Sequence, residues 1–363
     1  MVENKPKRQI RTLSARESCR DKVSIWYGSR DNFMHGLREV LANASDAIGI
    51  SKQSDSGEIV VKLEEDCETI SVFDTGDGIP LSDDIDGKKS YESLLLSLFS
   101  GSNYDNAERL DISTGTNGMG LTVLNYSSSL FDIASYINGK KDHLIFTDGG
   151  ELTSESWNTP SKTKHGTRVR FRLDNEVYPI IKYNPRDIRD LLIALAGANN
   201  KLTIRYSYKD VEETFHYGSL EEYMVDISDN CTSSIYSFNK KEYIIEKELN
   251  IVESVWSLST EPVQRTFLNY TNLVEHGAVY DGFVDGMRKT FNKESNQKLS
   301  VIDIEMSFNI VTSMLSSNVE FANQTKFSTS KKLYRKLTSD YIISNMEVFK
   351  AENPQEFDKI LKH

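Results

Sequence analysis

Glu39, Asn43 and Asp46 follow one another at intervals of four and three residues in the run Glu39-Val-Leu-Ala-Asn43-Ala-Ser-Asp46. At about 100° per helical residue they fall within about 60° of one another, on one face. Leu37, Val40, Leu41, Ala44 and Ile48 cluster on the opposite side. One face is therefore core, and the other carries a carboxylate, an amide and a second carboxylate. A carboxylate so placed can orient a water and take up its proton, while an amide oxygen can help hold a divalent cation beside a phosphate. Taken alone, such a face is more often a solvated helix surface. Two further segments change its weight. Asp74-Thr-Gly76-Asp-Gly78-Ile79-Pro80 sets a carboxylate at the head of a glycine-rich turn. Gly115-Thr116-Asn117-Gly118-Met119-Gly120 precedes an apolar run that reads as a helix. The backbone N–H groups of such a segment can converge on phosphate. The Walker string G-x-x-x-x-G-K-[ST] is absent, so any phosphate site here is of another kind.

In this order the three segments resemble the signature of the GHKL ATPases, the gyrase, heat-shock chaperone, histidine kinase and MutL proteins that share the Bergerat ATP-binding fold. One branch is closer, the ATPase region of type IIA DNA topoisomerases. His165-Gly-Thr167-Arg-Val-Arg-Phe171 looks like that branch's G-T-x-V-x-F strand, and Gln324-Thr-Lys326 like its Q-T-K loop. Thr271-Asn272, His276-Gly277 and Asp281-Gly282-Phe283 are similar to the stretch that opens its second domain. The likeness runs from about residue 13 to the C-terminus.

The resemblance implies an α+β fold, with a Bergerat sandwich and N-terminal arm over 1–220 and a ribosomal-S5-like βαβ transducer over 232–363. It also implies roles. Glu39 would be the general base, and Asn43 would complete the coordination of Mg2+. Asp74 would accept a hydrogen bond from the exocyclic amine of adenine, which selects ATP over GTP, whose six-position is a carbonyl. Thr167 would support the base through its hydroxyl and a water. Asp46, Gly76, Gly78, Ile79, Pro80 and the segment from Gly115 to Gly120 would complete the ATP pocket, with 100–117 as its lid. Lys326, beside Gln324, would reach from the second domain to the γ-phosphate and stabilise charge there. The implied partners are a second copy of the chain on ATP binding, duplex DNA, and a cleavage subunit or domain. The segment before residue 20 would cross to the partner protomer.

Some positions depart from the pattern. Asp77 stands where the family's D-x-G-R-G has arginine, and no E-G-D-S-A or D-x-D cleavage segment is present. The chain therefore reads as an ATPase clamp without the strand-breaking machinery. The alternative is a stand-alone, MutL-like dimerisation switch that recruits an effector.

The elements that must position these residues can be traced locally. Ile59–Leu63 and Thr69–Phe73 flank an acidic turn and read as a hairpin that delivers Asp74 at a strand end. A helix is expected over Ser90–Phe99 and another from Gly118. Strands are expected at Ile133–Ile137, Leu144–Thr147 and Thr167–Leu173. Asn184-Pro-Arg-Asp187 opens a further helix ending near Gly197, with a strand at Leu202–Tyr206 after it. A domain boundary is expected at about 220–232.

The 363 residues, 38% hydrophobic, suit two domains. No apolar run approaches the roughly 20 residues of a membrane span. The N-terminus lacks a secretory pattern. Cys19, Cys67 and Cys231 lack metal-ligand spacing and read as free thiols of a cytoplasmic protein. A net charge of −11 argues against a surface that coats nucleic acid. Local basic candidates are Arg288-Lys289, and Lys331-Lys332 with Arg335-Lys336, while Lys5, Lys7, Arg8 and Arg11 read as a flexible arm.

Overall fold

In a computed structural model, residues 12–49, 51, 56–85, 87–98, 119–295, 298–323 and 325–362 are described. The first half is built on an eight-stranded sheet. Its order is Val211–Phe215, Leu202–Tyr208, Gly57–Leu63, Thr69–Asp74, Gly166–Leu173, Ser128–Ile137, Lys140–Thr147 and Glu151–Pro160. Neighbours run antiparallel except Gly57–Leu63 with Leu202–Tyr208. The hairpin forms with Ile59 opposite Asp74. Its turn is tied by Asp66 Oδ1, which accepts from the N–H groups of Glu68 and Thr69 at 2.9 Å each.

The helix Met34–Gly49 lies on this sheet, and Leu37, Val40, Leu41, Ala44 and Ile48 are all buried. Each large apolar side chain so buried stabilises the fold by roughly 1.5–3 kcal/mol. The same helix is thereby fixed in rotation, which turns Glu39 and Asn43 away from the sheet. The expected helices appear at Ser90–Leu96, Gly120–Tyr126 and Pro185–Ala198. The strand Glu151–Pro160 has no counterpart in the sequence reading. It is an edge strand with no buried residue, so it lacks the apolar alternation by which strands are recognised.

The second half holds a five-stranded sheet, Tyr236–Ile245, Glu248–Leu258, Phe308–Ser316, Gln264–Leu268 and Thr271–Asn272. Gln264–Leu268 and Phe308–Ser316 pair in parallel. The long helix Ala278–Glu294 lies on the path between them, as a parallel crossover requires. It packs against Lys332–Glu352 at very close range: a Cβ at Gly282 or Gly286 would run into Arg335 or Ile342 of the facing helix.

The helix Leu220–Ile227 lies within 220–232, where the sequence suggests a boundary. Its Tyr223 and Met224 join Ala194 and Ala198 of the first half to Val255, Phe267 and Val311 of the second in one buried cluster. The two sheets thus share an apolar seam. The N-terminal segment has local structure of its own. Ala15–Asp21 is a helix with Cys19 fully buried, and Arg16 donates from Nε to Gly149 O at 2.8 Å. Arg20 pairs with Asp174 at 2.8 Å. This stretch is docked on its own sheet, because its apolar and guanidinium groups find partners there.

Candidate functional site

Glu39 is 6% exposed, and its Oε1 lies 3.1 Å from Lys326 Nζ. The base candidate on the first half's helix and the lysine of the second half's loop are thus in contact. The loop is held by several backbone bonds. Lys326 N–H donates to Asn323 O, and Glu275 N–H to Phe327 O. Lys326 itself takes a left-handed backbone, φ 58°, a conformation uncommon outside glycine and asparagine.

Two more residues close around Glu39. His35, one helical turn earlier, sets Nε2 3.4 Å from the same Oε1 and is 1% exposed. Gly120 approaches the other oxygen so closely that a Cβ there would collide with Oε2. Tyr27 donates to Gly120 O at 3.2 Å and packs edge-on against the His35 ring. Burial alone would raise the Glu39 carboxyl, but the Lys326 cation and the His35 contact outweigh it and hold the group near 2. The sequence reading did not single out His35. The signal that could have found it is the i, i+4 spacing to Glu39, on the same helical face.

Asp74 is 5% exposed at the end of its strand, opposite Thr167 in register. Its Oδ1 accepts from Gly76 N–H at 2.9 Å and from Thr167 N–H at 3.3 Å. Among the described residues no hydrogen-bond donor reaches Oδ2. Burial pushes this carboxyl up to about 7, against the two backbone donors. A Cβ at Gly76 would touch Ala47, and Gly78, at φ 84°, turns the chain back under Tyr136 O. Ile79 N–H donates to Ser135 Oγ at 2.7 Å, and Ser90 Oγ donates to Pro80 O. Asp77, the departure from the family pattern, accepts from Ser51 Oγ at 2.7 Å.

Asn43 and Asp46 are partly exposed on the Glu39 face. Met119 is buried and leads directly into the Gly120 helix. Gly115, Thr116, Asn117, Gly118, the lid 100–117 and Gln324 lie outside the described residues. Among the described residues no group of three or more His, Cys, Asp or Glu could hold a metal ion. A magnesium ion beside Asn43 would rest mainly on phosphate oxygens and water, which is its usual manner of binding.

The basic candidates meet on facing helices, where Lys289 Nζ donates to Ser339 Oγ at 3.2 Å. Within that group Arg335 is paired with Asp285 at 2.8 Å and Lys331 with Glu248 at 3.1 Å.

Residues 28–177 match the model of the histidine kinase-, DNA gyrase B-, and HSP90-like ATPases. The chain is 26% identical over 373 residues to the B subunit of DNA gyrase from Borreliella burgdorferi, covering 97% of this chain and 57% of that one. It is 24% identical over 381 residues to the B subunit of DNA topoisomerase 4 from Francisella tularensis, covering 100% and 59%. It thus spans under three-fifths of the length of these relatives. The ATPase region of Saccharomyces cerevisiae topoisomerase II superposes with a TM-score of 0.75 at 17% identity, over 97% of this chain and 99% of that one. Among the described residues no helix is long and apolar enough to cross a membrane. The order of segments, the eight-stranded sheet with its buried Asp74, and these likenesses lead to one conclusion: residues 28–177 resemble the GHKL ATPases, and the chain along its length is similar to the ATPase region of type IIA DNA topoisomerases, whose fold it shares.

Proposed function

We propose that this chain is the ATP-driven clamp of a type IIA topoisomerase-like enzyme, which closes as a dimer around duplex DNA and acts with a cleavage subunit or domain in the cytoplasm. The observation that carries the reading is the Lys326–Glu39 contact at 3.1 Å, because it couples the second half to the residue that would activate water. Adenine would be read by Asp74 Oδ2, with Thr167, Gly76, Gly78, Ile79 and Pro80 shaping the pocket. Asp46, Gly115, Thr116, Asn117, Gly118, Met119 and Gly120 would complete the nucleotide site, and Asn43 would supply the protein ligand to magnesium, which neutralises phosphate charge. Gln324 would stand beside Lys326.

The Lys326 cation lowers the Glu39 carboxyl and so makes it a weaker base while the pair is formed. A γ-phosphate competes for Lys326. When the lysine leaves, buried Glu39 regains basicity, and its contact with His35 keeps it aimed at the attacking water. Hydrolysis then follows only once the second half has moved with Lys326 toward the phosphate. The basic residues on the facing helices, Lys289, Lys332 and Lys336 among them, supply the local positive surface that DNA would meet despite the overall charge of −11.

The test is sedimentation with a non-hydrolysable ATP analogue. The expected result is monomer with ADP and dimer with analogue, weakened by deleting residues 1–11. A monomer at saturating analogue and high concentration would exclude the clamp. A dimer without affinity for duplex DNA would favour the stand-alone switch that recruits an effector.

A further inference from the structure

Beside the Glu39–Lys326 pair a cavity opens between the two halves, with about 600 Å³ of space, part of it open to solvent. Its walls come from the helices Met34–Gly49 and Pro185–Ala198, the turn at Tyr270–Asn272, and the loop Thr325–Phe327. Leu41, Ala42, Leu191, Leu195 and Phe327 make much of the lining apolar. No residue of the adenine segment Asp74–Pro80 contributes to it.

Arg38 projects into this space. Its Nε is shielded from solvent and has no hydrogen-bond acceptor, and the guanidinium lies 6.0 Å from the centroid of the Phe327 ring. No carboxylate pairs with it among the described residues; burial alone acts on its protonation, and in the lowering direction. His35 lines the same cavity with neither ring nitrogen hydrogen-bonded. Arginine remains charged in proteins, and its shielded Nε–H without an acceptor is a standing penalty on the fold. The planar fork of a guanidinium is made for a carboxylate, which it can grip through two parallel bonds.

We propose that this interdomain cavity binds a small organic anion, a carboxylate on an apolar body, with Arg38 as its charged partner. Inorganic phosphate could meet the same guanidinium but has no apolar body to cover Leu41, Leu191 and Leu195. An occupant would touch both halves and the Glu39–Lys326 pair together. It would hold the lysine on the carboxylate and so restrain the movement proposed above. That consequence rests on the proposed function, whereas the binding does not.

The experiment titrates the full chain, with ADP present, with a panel of aromatic and branched aliphatic carboxylates that includes 2-naphthoate. The neutral 2-naphthalenemethanol and inorganic phosphate serve as controls. At least one carboxylate is expected to bind about tenfold or more tightly than its neutral counterpart, as a charge-assisted pair predicts. Arg38→Met should abolish that difference while leaving the alcohol unaffected, and Leu195→Phe should weaken both. Arg38→Met is expected to fold with a Tm no lower than the parent, since it removes a shielded Nε–H that has no acceptor. A lower Tm would reveal an internal partner for Arg38 and overturn the proposal. So would a panel in which no member distinguishes the parent from Arg38→Met, or phosphate binding as tightly as the best carboxylate. If an ATP analogue displaces the carboxylate and Arg38→Met weakens the analogue but not ADP, Arg38 is a γ-phosphate ligand and the site is not separate. ATPase rate with the best carboxylate then reads the regulatory consequence by itself: slowed turnover is expected, and unchanged turnover with intact binding removes the restraint but not the site.

Discussion

Asp74 and Lys326 are both nearly buried and both polar, yet they are held in different ways. Asp74 ends a strand with neighbours on each side, Ile59 and Thr167. Moving it would break two ladders. Lys326 sits on a loop, at a left-handed φ, anchored by turn bonds and by one ion pair to the other half. Moving it costs that pair and a few loop contacts. A group that recognises a flat, invariant base gains from rigidity, whereas a group that reports the presence of one phosphate must have two positions. The first half therefore reads as the recogniser and the second as the sensor.

The largest effect should come from the residue at which the halves meet. Glu39→Gln keeps shape but removes the base, and turnover should fall about 10²–10⁴-fold while ATP binding persists. Near-normal turnover would take Glu39 out of that role. Lys326→Met should reduce turnover by roughly 10²–10³-fold, leave ADP affinity unchanged, and abolish the difference in interdomain distance between ADP and analogue. The same variant should raise the Glu39 carboxyl, because burial then acts without its main opponent; carboxyl NMR reads this directly. If sensing is unaffected, the division between the halves is wrong.

Asp74→Asn should weaken nucleotide binding itself, by about tenfold or more, since it presents a donor to the adenine amine or forces an amide flip. The parent carries a pH signature as well. Its folded carboxyl, near 7, lies above the unfolded value of 3.8. The fold therefore holds this proton between those values, and stability from this group is present below about 4 and declines as pH rises through about 7. Adenine requires the ionised form, so ATP affinity should rise about fivefold from pH 6 to pH 7, measured by calorimetry, with a proton released on binding. A flat affinity over that range would show that the pocket is better solvated than the geometry indicates. Glu39 behaves oppositely: depressed near 2, it contributes stability above about 4.5 that is lost as pH falls toward 2.

The smallest effect tests the seam alone. Gly28 has φ 79°, and a Cβ there would come 2.7 Å from Thr325 Cγ2 in the sensor loop. Gly87 shares that φ but faces open space. Both Gly→Ala changes should cost about 1 kcal/mol through the backbone. Only Gly28→Ala should additionally lower turnover, by displacing the loop. Equal behaviour of the two would mean that the loop does not depend on its contact with residue 28.

The amphipathic face of Met34–Gly49, the hairpin that delivers Asp74, and the order of the glycine segments were legible in the residues, because periodicity and turn chemistry act over a few positions. The helix rotation that buries Leu37 and Val40 also fixes where Glu39 points, so its candidacy followed from pattern. What the sequence did not contain was the meeting of distant parts. The strand Glu151–Pro160 has no buried face to give it a period. The helix Leu220–Ile227 falls where a connector was expected, because its apolar face answers to Val255, Phe267 and Val311 rather than to its own neighbours. The N-terminal helix is docked because Arg16 and Arg20 find partners more than a hundred positions away. Lys326 on Glu39, His35 beside it, Gly120 against its second oxygen, and Arg38 unpaired in a shared cavity were decided only by how the two sheets close on their common apolar seam. Local sequence sets which face a helix turns inward; the burial of surface between distant segments sets what the other face meets.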